Sequence, residues 1–230
     1  MNLQKLNNYL DGYLDFLKAN PNHYPYWKWE SQKIFQDNWD LDAPDFKAMF
    51  DACLDNSHSR RIWKREHYEP KTAMLHFIDL NPEFVRYMFK DLFDENKGVE
   101  GRIGRFLFHC DELLTEYREK HKASKLNTHY HDDEYQIISW YLTFRYPESY
   151  APYHFERFKT LLEKLGSRNP PQANDTERFF KVMRTLYGFL KKRPEILEIH
   201  RSRIEERKHY TGDSLLLVED FGEWVCGVGE

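Results

Sequence analysis

Cysteine is scarce in this sequence: there are three, Cys53, Cys110 and Cys226, odd in number and far apart. A disulfide framework is denser and even, and no two of these thiols fall at metal-ligand spacing. They are read as reduced, mostly packed thiols of a cytoplasmic protein. Glycine and proline stop at 10 each in 230 residues, which excludes collagen-like, linker-like and low-complexity chains. No stretch approaches about 18 consecutive apolar residues, so no bilayer-spanning helix is expected. The N-terminal MNLQKLNNYLDGYLDFLK lacks the basic cap and unbroken apolar run of a secretory signal. Charge of one sign is lacking too. The 34 Lys and Arg face 38 Asp and Glu, a net −4, so bulk charge points to neither DNA nor a membrane surface.

What the chain does have is aromatic bulk and helical periodicity. Hydrophobic residues make up 40%, charged residues 31% and aromatics 17%, enough to bury a core and to rule out wholesale disorder. Leu3, Leu6, Leu10, Leu14 and Leu17 recur at three and four residues and form one helical stripe, which Asn20-Pro21 ends. An aromatic knot from Tyr24 to Trp29 leads into a short helix through Ile34 and Phe35, and Phe46, Met49, Phe50 and Cys53 mark another. Asn81-Pro82-Glu83 is a helix start, with a capping side chain, proline at the first helical position and an acid. Gly98, Gly101 and Gly104 are read as a loop ahead of a long helix carrying Phe106, Cys110 and Leu113. The polar run from Arg118 to His131 reads as a connection. Helices follow around Ile137–Phe144, Phe155–Leu165 (with Gly166 as C-cap), Phe179–Leu190 (capped by Asn174 or Asp175) and Pro194–Lys208. Leu215 to Val218 fits a strand or a short buried helix equally well. The expectation is a mainly α, irregular bundle of about nine or ten helices. It forms one domain over 1–230, divisible into subdomains 1–125 and 126–230.

Local charge is uneven. Residues 1–56 are net −4, residues 57–71 net +3 and residues 178–209 net +6. Arg60, Arg61, Lys64 and Arg65 stand close enough to share a helix face and grip phosphates. In the 195–208 segment, Glu195, Glu198, Glu205 and Glu206 interleave the cations, which reads as a solvated face laced with pairs four residues apart.

Three clusters carry candidate chemistry. Tyr24, Trp27 and Trp29, with Tyr26 and Trp39 nearby, are candidates to line a pocket that stacks on a base, although aromatics mostly fill cores. His129 and His131 with Asp132 have the residue types of a divalent-metal site, and a His-Asp step is what helical metal-dependent phosphohydrolases use. Such an enzyme also needs a further His and Asp on facing helices, and His109 and Asp175 have nothing around them that singles them out. Glu69-Pro70-Lys71 has the letters of a nuclease core, but its proline sits where a central strand needs a donor. No phosphate-binding glycine loop and no nucleophile elbow occurs, so no cofactor and no catalytic set is expected.

Tyr26-Trp27-Lys28-Trp29-Glu30, Arg60-Arg61-Ile62-Trp63, the run Ile138 to Tyr150 and Glu177 to Arg184 together carry a resemblance. The chain resembles the helical N-terminal region of the AAA-family modified-cytosine restriction ATPases or GTPases (McrB-like), without the motor domain. The resemblance implies a DNA-selecting domain whose partners are an AAA-family motor and a nuclease subunit, and it transfers no catalytic residue. The leading expectation is thus a non-enzymatic recognition or adaptor domain binding DNA, modified or not. A metal-dependent hydrolase using His129, His131 and Asp132 and a protein–protein interaction module stay open beside it.

Overall fold

Why a helix starts where it does is legible at several N-termini. Asn2, Asp45, Asn81 and Asp175 each accept a backbone N–H of the first turn through a side-chain oxygen. A computed structural model describes residues 1–23, 25–56, 60–64, 67–132 and 136–228, with the side chain of Arg61 left out. Its elements are α1 (Leu3–Ala19), α2 (Trp27–Asn38), α3 (Phe46–Cys53), α4 (Arg60–Trp63), α5 (Pro70–Leu80) and α6 (Pro82–Leu92). They continue with α7 (Val99–Lys120), α8 (Gln136–Arg145), α9 (Phe155–Lys164), α10 (Thr176–Leu190), α11 (Pro194–Arg203) and α12 (Leu216–Gly227). No strand occurs among the described residues. The mainly α expectation holds, with eleven helices of eight residues or more plus the single turn α4 among the described residues, rather than nine or ten.

The differences have local causes. Helix α5 has no counterpart in the sequence reading, which weighed Pro70 only against a strand; the proline occupies the first helical position, where its missing N–H costs nothing. Gly101 and Gly104 lie inside α7, not in a loop, because Val99, Arg102 and Ile103 are buried and their packing outweighs the glycine penalty of about 1 kcal/mol each. Leu215–Val218 is no strand: Leu216 opens α12. Helix α11 stops at Arg203, five residues short of the expected end. Gly166 does cap α9, at φ +70°, with its N–H bonded to Glu163 O and that of Ser167 to Leu162 O.

Helix α2 packs on α3 and α8, α6 on α7, and α9 and α10 on α12. One hydrophobic core runs through the described residues from Leu6 to Val225. It crosses the 121–132 connection, since Trp63 stacks on Tyr141 at 5.7 Å and Phe50 meets the same ring at 6.2 Å. Phe89 is its aromatic hub, with Trp39, Phe50, Phe93, Phe106 and Tyr141 rings 5.1–5.8 Å away, mostly edge-on. Helix α8 is the most enclosed element, with eight of its ten residues buried, and α12 buries eight of twelve, Glu219 and Asp220 included. No described helix is long and apolar enough to cross a membrane.

Truncating the hub tests this picture. Phe89→Ala is expected to cost about 3–5 kcal/mol in urea unfolding, the range for a large aromatic lost from a close-packed core. A loss under about 1 kcal/mol contradicts the hub.

Candidate functional site

At the start of α2 two neighbouring side chains leave the backbone in directions about 100° apart. Trp27 is half-buried, and Lys28 is driven inward until it is 5% exposed. A lysine at that depth needs carboxylates, and α12 supplies two, four residues apart on one face. Lys28 Nζ bonds Glu219 and, at 2.8 Å, Glu223. Arg157 of α9 bonds the other oxygens of the same acids, at 3.0 Å to Glu219 and 2.8 Å to Glu223. The result is a closed ring of two cations and two anions that ties α2, α9 and α12 together.

The ring sets its members' proton affinities. Burial alone would lower the Lys28 pKa, but Glu219 and Glu223 outweigh it and hold it above the ordinary value. Burial pushes the Glu219 carboxyl up to about 7 against the pull of Lys28. Burial acts on Glu223 in the same sense, yet there Lys28 and Arg157 win and the pKa is lowered.

This ring floors a cleft of about 220 Å³. Trp27 and Trp140 of α8 form an aromatic wall, their ring centroids 6.2 Å apart and planes inclined by 36°. His154 and Ile62 of the turn α4 complete the rim. The cleft thus combines flat apolar faces with charged groups that can read the polar edge of a ring. A roomier cavity of about 340 Å³ lies between α11 and the segment leading to α12, lined by His200 and Asp213 but by none of the residues expected from sequence.

The structure redistributes the expected site. Trp27 lines the cleft; Trp29 does not. Residues two apart on a helix face opposite ways, so Trp29 is buried against Tyr26 and His200, at 5.2 and 5.0 Å. Tyr24 lies outside the described residues. Arg60 and Lys64 are exposed at the ends of α4, beside the Ile62 rim, while the Arg61 side chain and Arg65 lie outside the description. Lys64 is 3.6 Å from Glu69, an exposed pair of small energetic weight. The cations of the 178–209 stripe are not laced to their own helix among the described residues. Arg193 pairs with Asp11, Lys191 with Asp213 and Lys208 with Glu30, so three of its ten cations join distant segments.

The proposed metal residues also regroup. His129 and His131 are buried together, but Asp132 is exposed and the third potential ligand is Cys110 of α7. One ligand atom from each of Cys110, His129 and His131 lies within 4.8 Å of the others. Burial, reinforced by His129, lowers the His131 pKa to about 3. Burial together with Asp111 and Asp132 raises the Cys110 thiol. With all three enclosed, no coordination position faces bulk water, as a hydrolytic metal requires. For the interaction-module reading, exposed Tyr87 and Phe108 flank His109 on α6 and α7.

Sequence reasoning missed Lys28, Trp140, His154, Arg157, Glu219 and Glu223. One signal was available: Glu219, Asp220 and Glu223 interrupt an otherwise apolar run, with 219 and 223 one turn apart, so a helix packed there must bring acids toward the core. No protein-family model, curated protein or solved structure matches this chain.

The ring makes a prediction with a defined sign. Lys28→Met leaves Glu219 buried beside one cation, at a cost of about 3–5 kcal/mol at pH 8. The Glu219 pKa then climbs further above its ordinary 4.5, so the folded state holds a proton that the unfolded chain releases, and stability falls as pH rises through that window. Urea unfolding should therefore show a smaller cost at pH 5 than at pH 8. Equal costs at the two pH values contradict this account.

Proposed function

We propose that this chain is a non-enzymatic recognition domain that binds DNA by taking one base into the Trp27–Trp140 cleft. Phosphates flanking that base run past the α4 turn, where Arg60 and Lys64 are exposed and where Arg61 and Arg65 continue the basic sequence. The observation that carries this reading is the juxtaposition of an aromatic-walled cleft with that turn through Ile62. At about 220 Å³ the cleft is below the roughly 300–1,000 Å³ of pockets that enclose a whole small ligand, which suits a single planar ring reaching in from a polymer. Stacking on Trp27 provides affinity indifferent to sequence. Glu223, at the half-exposed end of the ion-pair ring, and His154 on the rim offer hydrogen bonds to a base edge and hence a means of discriminating a modified base. The surrounding acidity limits sticking to polyanions at other places on the surface. In keeping with the resemblance, the domain would serve a restriction or defence assembly, alongside an AAA-family motor and a nuclease subunit.

Labelled single-stranded, duplex and cytosine-methylated oligonucleotides test the reading by anisotropy at 50 and 200 mM salt. Binding should weaken steeply between the two salts, and Arg60→Ala or Lys64→Ala should each lower the slope of log K against log salt by about one. Trp27→Ala should weaken binding by about 1–3 kcal/mol, the contribution of one stacked base. Binding that is undetectable, or that ignores salt and Trp27 alike, overturns the proposal.

A further inference from the structure

The turn that carries His129 and His131 is bent unusually. Tyr130, between them, has φ +64°, the left-handed region that a bulky residue enters only at a cost. That bend turns both imidazoles into the core beneath α7, onto the sulfur of Cys110, which has no hydrogen bond among the described residues. We propose that Cys110, His129 and His131 form an enclosed site for a borderline-soft divalent transition metal, zinc by the chemistry of its donors, which fastens the 121–132 connection to α7.

Donor type is the first argument. Thiolate plus imidazole is the combination zinc takes in preference to magnesium or calcium, which want oxygen. The outer contacts are the second. His131 Nδ1 is 2.6 Å from the His129 carbonyl, and His129 Nε2 is 3.2 Å from Asp111 Oδ1. A carbonyl and a carboxylate are the partners that metal-bound histidines engage with the nitrogen that faces away from the ion. The nitrogens then turned to the metal are His131 Nε2 and His129 Nδ1. Binding exchanges two contacts for coordination: the 3.2 Å one between His131 Nε2 and the Tyr141 hydroxyl, and the 3.0 Å bond from His131 N–H to His129 Nδ1. The Cys110 thiol loses its proton to solvent and the thiolate neutralises one of the two metal charges. A fourth position falls to a water or to the Tyr141 hydroxyl.

The sequence alone could not have assembled this set. Cys110 reads as a packed helical thiol, which it also is, and the nearest carboxylate in sequence, Asp132, looks like the natural third ligand. The turn directs Asp132 to solvent instead.

The test uses the whole chain, stripped with chelator and titrated with Co²⁺ and then Zn²⁺. One equivalent of Co²⁺ should produce thiolate-to-cobalt charge-transfer absorption, which Zn²⁺ bleaches while about one proton per metal is released. Zinc at a hundredfold excess over Kd should raise Tm by roughly 5–10 °C. Asp132→Asn and Cys226→Ser should keep the cobalt band, while Cys110→Ala and His131→Gln should lose it. Since the last two alter the core, the wild-type titration stands as an independent readout. No thiolate band together with an unchanged Tm overturns the site, as does a band that persists in a folded Cys110→Ala variant.

Discussion

Two acids adjacent in sequence, Glu219 and Asp220, are buried on α12, and the rest of the structure is arranged to make that tolerable. An isolated carboxylate in a protein interior costs several kcal/mol unless donors surround it. Glu219 meets Lys28 and Arg157. Asp220 meets the Tyr13 hydroxyl at 2.6 Å and His23 at 2.9 Å. The apolar faces of α1, α2, α9 and α12 supply burial, but many pairings of greasy helices would do that. The observed packing brings donors to both acids, and a packing that did not would leave buried charge unpaired.

The same constraint shapes the cleft. Because Lys28 is committed inward, its neighbour Trp27 is left at the surface, and because Glu223 lies one turn beyond Glu219 it reaches the mouth. A charge-balanced floor under two indoles is therefore a by-product of how α2 and α12 are locked together. A ligand entering there meets groups that are already held, so little ordering cost attends binding.

How much of this was readable beforehand depends on distance along the chain. Helix boundaries set by one turn of sequence were legible: Asn81-Pro82-Glu83 starts α6, Asp175 starts α10 and Gly166 ends α9. Boundaries decided by packing were not, as Gly101 and Gly104 inside α7 illustrate. In the candidate site, Trp27 and the Arg60–Lys64 turn could be nominated because their character is local. The acids beneath them could not, since a glutamate in an apolar run declares that it needs a partner without naming one. His129 and His131 announced themselves by proximity, whereas Cys110 joins them only through the left-handed bend at Tyr130.

The late position of α12 also bears on how the molecule is made. Its acids are 191 and 207 positions away from Lys28 and Tyr13. During synthesis the early helices leave the ribosome with their best partners still untranslated, and contacts so remote in sequence are slow to close. Until residues 216–227 are in place, Lys28 and the aromatic faces around it lack the partners that cover them in the folded chain.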